Sequence, residues 1–73
     1  MKAAEFSDLG RFEVIMEQLM LGDKVNPDDK KPVIVKVLRD KKTQRAYQVD
    51  FKNKLFRDSK HVLEPYSDWK PLE

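Results

Sequence analysis

The chain has 73 residues, no cysteine and one histidine, with 15 Lys/Arg against 13 Asp/Glu for a net charge of +2. That length holds one domain, residues 1–73, with a small core. The composition excludes disulfides, thiolate metal sites, cysteine nucleophiles and the usual multi-histidine zinc sites. Hydrophobic residues at 40% support folding despite 38% charged residues. Apolar stretches such as Val14-Ile15-Met16 and Leu19-Met20-Leu21 are too short for a signal peptide or a membrane span, so a cytoplasmic chain without membrane contact is expected.

Residues 5–21 read as a helix. Phe6, Leu9, Phe12, Met16, Leu19 and Met20 recur at three- and four-residue steps, with Ile15 at the border of the stripe. Ser7 or Asp8 is the candidate N-cap, and Gly22 stands where a left-handed C-cap would end the helix. Gly10 costs the helix interior about 1 kcal/mol relative to alanine. Residues 23–32 read as a loop, with turn chemistry in Asn26-Pro27-Asp28-Asp29 and Pro32 as its close.

Residues 33–39, rich in Val and Ile, read as a strand, and 45–51 as a second strand in which Tyr47, Val49 and Phe51 alternate with polar or small residues. Asp40-Lys41-Lys42-Thr43 is the polar hairpin connection between them. Pairing Val37 with Tyr47, Val35 with Val49 and Val33 with Phe51 puts the large members on one face, which is expected to pack on the helix. A third strand starts at Leu55 and runs to Arg57 or slightly beyond, after a two-residue turn at Asn53-Lys54. This register sets Phe51 against Phe56 and Arg57 beside Asp50. Val62 and Leu63 are candidates for a short fourth strand, ended by Pro65. Residues 64–73 read as a polar tail dotted with Tyr66, Trp69 and Leu72. The expected fold is α+β: an N-terminal helix on an antiparallel meander of three to four strands, with a small half-open β-barrel as the alternative. In this arrangement Ile34 and Leu38 lie on the sheet face away from the helix and need a cover.

The charge is uneven along the chain. Residues 1–29 carry three basic against seven acidic side chains, residues 30–60 eleven against three, and residues 61–73 one against three. A basic sheet region attracts polyanions through counterion release and acidic protein surfaces through steering. Lysines on strand edges also serve simply to keep sheets apart.

Motifs for chemistry are few. Ser59-Lys60-His61 places a hydroxyl two residues from an imidazole, without an orienting third group. Asp28-Asp29 lacks the alternating oxygens of a calcium loop. Glu13 and Glu17, one helical turn apart, read as solubilising carboxylates. Met16 and Met20 read as core. Gly10 and Gly22 are the only glycines, so no phosphate-binding loop is present. The expectation is a protein without catalytic, cofactor or metal sites: a protein–protein interaction domain acting as an adaptor, inhibitor or accessory regulatory subunit. Its expected contact residues are Ile34, Lys36, Leu38, Arg57, Tyr66 and Trp69. The alternative is nucleic-acid binding through Lys36, Arg39, Lys41, Lys42, Arg45, Lys52 and Lys54. A homodimer, joined at the sheet edge or through the Ile34/Leu38 face, is compatible with either.

Overall fold

The computed structural model describes residues 1–25 and 31–73. The turn read at 26–29, its Asp28–Asp29 pair included, lies outside the described residues. The chain forms a single-turn helix α1 (Ala3–Phe6), strand β1 (Phe12–Met20), a second single turn α2 (Gly22–Val25), and strands β2 (Val33–Asp40), β3 (Ala46–Asp50), β4 (Leu55–Ser59) and β5 (Lys70–Pro71). The five strands make one antiparallel sheet in the order β1-β2-β3-β4-β5, an up-and-down meander. The α+β meander stands, with five strands in place of three or four and a far smaller N-terminal helix.

The helix expected over 5–21 is replaced by α1, a turn and β1. Asp8 and Gly10 break the periodic pattern. The Asp8 carboxylate accepts the Gly10 amide at 2.9 Å, and the Asp8 carbonyl accepts the amides of Arg11 and Phe12 at 3.1 and 2.9 Å. This closes a turn, and the β-branched pair Val14-Ile15 then continues in a strand, where such side chains fit well. β1 gains a full ladder with β2, from Phe12↔Asp40 to Met20↔Val33, with Ile15 bulged out between Val14 and Met16. Long-range pairing thus overrides a local pattern compatible with both periods. Ser7 sits at the C-cap of α1, not at a helix N-cap, and Gly22 begins α2 without a left-handed φ.

The β2–β3 register is one residue away from the expected one: Leu38 pairs with Tyr47 and Lys36 with Val49. The expectation assumed a sheet covered on one face only. In the structure β2 is buried on both. One face carries Phe6, Phe12, Leu38, Tyr47, Val49, Phe56 and Leu72, with Met1 and Ala3 packed against them. The other carries Val33 and Val35 under Val25 of α2, with Met20, Leu55 and Trp69 around them. With apolar groups wanted on either face, a one-residue slip no longer exposes a strand. Phe6 is the hub of the first core: its ring lies 5.1 Å from Phe12, 5.3 Å from Tyr47 and 5.8 Å from Phe56, in tilted and edge-on geometry.

Two buried aspartates hold the hairpins. Asp40 accepts the amides of Lys42 (2.8 Å) and Thr43 (3.3 Å), and Asp50 those of Lys52 (3.0 Å) and Asn53 (3.1 Å). A short acceptor at the start of a turn stands in for the missing ladder partners. The β3–β4 connection is four residues long, Phe51 to Lys54, with Lys54 at φ 57°. This pairs Asp50 with Leu55 and Val49 with Phe56, so Phe51 leaves the core for the turn surface and Arg57 stands opposite Gln48, not beside Asp50. Asp50 accepts instead from the Asn53 side chain at 2.7 Å.

Val62 and Leu63 form no strand, and Leu63 is 90% exposed. The tail returns to the sheet. The Ser67 amide donates to the Asp58 carbonyl (2.7 Å), the Leu72 amide to the Lys54 carbonyl (2.7 Å) and the Glu73 amide to the Met1 carbonyl (3.0 Å), with Leu72 buried against the aromatic core.

Candidate protein interface

β1 is one edge of the sheet. It is nine residues long, and between Glu13 and Met20 every side chain is exposed except the half-buried Gln18 and Met20. Val14, Ile15, Met16 and Leu19 all reach solvent, Leu19 at 75%. Leu21 extends this surface beyond the strand, and Ile34, which pairs with Leu19, is 60% exposed beside it. Phe51, also exposed, adds a ring under the Lys36 ammonium, 5.7 Å from its centroid. Among the described residues no strand pairs with the outer edge of β1, which carries apolar side chains on both of its faces. Glu13 is tied into the sheet by Arg39, which donates to it at 2.6 Å.

The opposite edge differs. β5 is two residues long, Lys70 and Pro71. Proline has no amide to donate and lysine opposes close approach of another sheet, so this edge is blunted.

A polar seam crosses the α2 face of the sheet. Arg57 donates to the Gln48 carbonyl oxygen at 2.6 Å, and the Gln48 amide donates to the Gln18 carbonyl oxygen at 3.2 Å. Among the described residues Gln18 in turn directs its amide at the Met16 thioether, 3.5 Å away, a weak acceptor. Tyr66 and Trp69 flank Arg57, its guanidinium carbon 5.3 Å from the Tyr66 ring and 4.7 Å from the Trp69 ring. Burial draws the Arg57 pKa below the usual arginine value and pushes the Tyr66 phenol up.

The expected contact residues are thus divided. Arg57, Tyr66 and Trp69 come together on the α2 face, while Ile34 and Lys36 lie on the opposite face near Phe51. Leu38 is 1% exposed beneath α1 and is closed to any partner. It faces the helix, contrary to expectation, because of the one-residue register difference. The residues missed were those of β1 itself, placed in a helix stripe and assigned to the core. Their signal was the period-two alternation of Phe12, Val14 and Met16.

The basic residues do not form one stripe. Lys41 and Lys42 occupy the β2–β3 turn and Lys52 and Lys54 the β3–β4 turn, separated by β3, about 15 Å in length. Arg39 is held by Glu13, and Arg45 by Asp58 at 3.3 Å. Lys41 donates to the Leu9 carbonyl at 3.0 Å.

The Ser59 hydroxyl is buried within reach of the His61 and Glu64 carbonyls, at 2.8 and 3.0 Å, and donates to one of them at a time. The imidazole does not address it; His61 Nδ1 accepts from the Leu63 amide at 3.5 Å. Among the described residues no cavity of ligand size opens, no group of three or more His, Asp or Glu side chains is placed to hold a metal, and no helix is long and apolar enough to cross a membrane. Comparison with protein families, with curated proteins and with solved structures finds no match to this chain.

Proposed function

We propose that this chain is a non-catalytic protein–protein interaction domain, of the kind that serves as an adaptor, inhibitor or accessory subunit. The observation that carries this reading is the open β1 edge: nine residues of strand with exposed apolar side chains on both faces. Soluble sheets ordinarily blunt such an edge, as this one does at β5. An edge left apolar is a template for another strand, which gains main-chain hydrogen bonds and side-chain contacts at once. Apolar exposure of this extent on so small a surface marks an interaction site.

The nucleic-acid reading has less to stand on. Both of its arginines, Arg39 and Arg45, are held by carboxylates, and its turn lysines, Lys41 and Lys42 against Lys52 and Lys54, lie at opposite ends of the sheet. A photo-crosslinking residue placed at Leu19, with Leu63 as the exposed control, tests the choice in living cells. Protein adducts at Leu19 and none at Leu63 are expected, persisting in moderate salt. A folded Leu19 variant that yields no protein adduct overturns the reading. Nucleic-acid adducts lost steeply with salt would favour the alternative.

A further inference from the structure

We propose that the strand completing the β1 edge is β1 of a second copy, joined antiparallel across a two-fold axis at Gln18 into one continuous ten-stranded sheet. The inference rests on the interaction reading and names its partner. Three observations select a second copy.

The first is area. Weighted by exposure, Val14, Ile15, Met16, Leu19, Leu21 and Ile34 present on the order of 500 Å² of surface. That is an exposed apolar patch of the size that marks an interaction site, and it runs along and beside the edge a second β1 would meet.

The second is closure. A head-to-tail contact would need β5 to accept β1, and β5 is two residues with a proline. An isologous β1–β1 contact buries the edge that the described residues leave open and ends there, without growth into a fibre.

The third is register. The Ile15 bulge leaves Met16–Met20 as the regular half of β1. In that half a two-fold at Gln18 sets Met16 against Met20 and Glu17 against Leu19, and brings the two Gln18 residues face to face. No carboxylate then opposes another, whereas a two-fold at Glu17 would set Glu17 against itself. The Gln18 amide, which among the described residues meets a weakly accepting thioether, gains the carbonyl oxygen of its counterpart. The seam Arg57–Gln48–Gln18 would run on through the axis into the second chain.

Sedimentation equilibrium of the full chain from ~10 μM to ~1 mM is expected to show mass rising from that of one chain to that of two. Leu19→Lys, at a side chain outside the core, is expected to raise the dissociation constant by at least about tenfold, and Leu63→Lys to leave it unchanged. The chain has no cysteine, so Gln18→Cys supplies a register test: on the axis its Cα atoms fall about 4.5–5.5 Å apart, within disulfide reach. Rapid oxidation of Gln18→Cys to a covalent dimer, and slow oxidation of Leu63→Cys, is expected. A chain that stays monomeric throughout the range, a Leu19→Lys variant that associates like the wild type, or Gln18→Cys no faster than Leu63→Cys overturns the proposal. A monomer that still crosslinks from Leu19 to a different protein overturns the second copy alone and leaves the interaction reading in place.

Discussion

Phe6 and Leu9 distinguish a helix over 5–21 from the turn-and-strand arrangement more sharply than any other pair. Three residues apart, they share one face if the segment is helical and lose comparable contacts on truncation. In the structure Phe6 is 2% exposed and touches three aromatic rings, whereas Leu9 is 69% exposed in the turn before β1. Phe6→Ala is expected to cost about 3–5 kcal/mol, for lost transfer energy and the cavity left among Phe12, Tyr47 and Phe56. A 73-residue chain has about 4–11 kcal/mol in total, so this variant is expected to be partly unfolded in water. Leu9→Ala is expected to stay within about 0.5 kcal/mol of wild type. Urea unfolding followed by far-ultraviolet circular dichroism reads both. With a slope of roughly 1 kcal/mol/M the Phe6→Ala midpoint falls by about 3 M or disappears. Phe6→Leu, at about 1 kcal/mol, keeps the comparison measurable if the alanine variant does not fold. Equal losses for Phe6→Ala and Leu9→Ala would refute the arrangement of α1 and β1 described here.

Burial works to raise the carboxyl pKa of both Asp40 and Asp58. It is outweighed by the Lys42 and Thr43 amides and Arg11 at Asp40, and by Ser67, Lys70 and Arg45 at Asp58, so both stand below the ordinary 3.8. Groups lowered in the folded state contribute stability that is present above pH 3.8 and lost as pH falls through the lowered values; urea midpoints between pH 5 and pH 2 should fall accordingly, and less steeply in Asp40→Asn. Lys54 holds a left-handed φ of 57° that glycine adopts without strain, so Lys54→Gly should stabilise by up to about 1 kcal/mol, read as a raised midpoint of thermal unfolding. Arg57→Ala removes the cation from the Trp69 face and a donor from buried Gln48. It should cost about 1–3 kcal/mol and shift the Trp69 emission; an unchanged emission maximum would count against the stacked geometry.

The central hairpin was legible because its signals are local. Val33–Leu38 and Tyr47–Val49 are β-rich runs, and Asp40 opens a turn whose amides it can itself accept. Register was not, since it depends on how many faces of the sheet are covered. That in turn depends on Val25, Leu55 and Trp69, remote in sequence from the strand they cover. β1 was misread because its apolar residues satisfy a period of 3.6 as well as one of 2, and only its pairing with β2 decides between them. The return of the tail hangs on Leu72 and on backbone hydrogen bonds at Ser67, Leu72 and Glu73, which composition does not register. Of the expected contact residues, Arg57, Tyr66 and Trp69 lie together on one face of the sheet, an arrangement that sequence spacing did not specify. The basic character of 30–60 was real in sequence but is scattered by the meander, which sends alternate turns to opposite ends of the sheet.

The two edges of the sheet make the case for a partner on energetic grounds. The monomer gains little from the apolar side chain of Leu19, 75% exposed, and leaves a substantial part of Ile15 and Met16 in water. A lysine or threonine at Ile15 would keep the strand, lower the risk of unwanted sheet pairing, and leave both cores as they are. β5 has adopted that solution with Lys70 and Pro71. Association gives a reason for an apolar β1: each exposed methyl group counts once the edge is covered, and the outward-facing amides and carbonyls, borne by alternate residues of the strand, find partners in the same step. The proposed association would thus account for an apolar edge that the fold itself does not require.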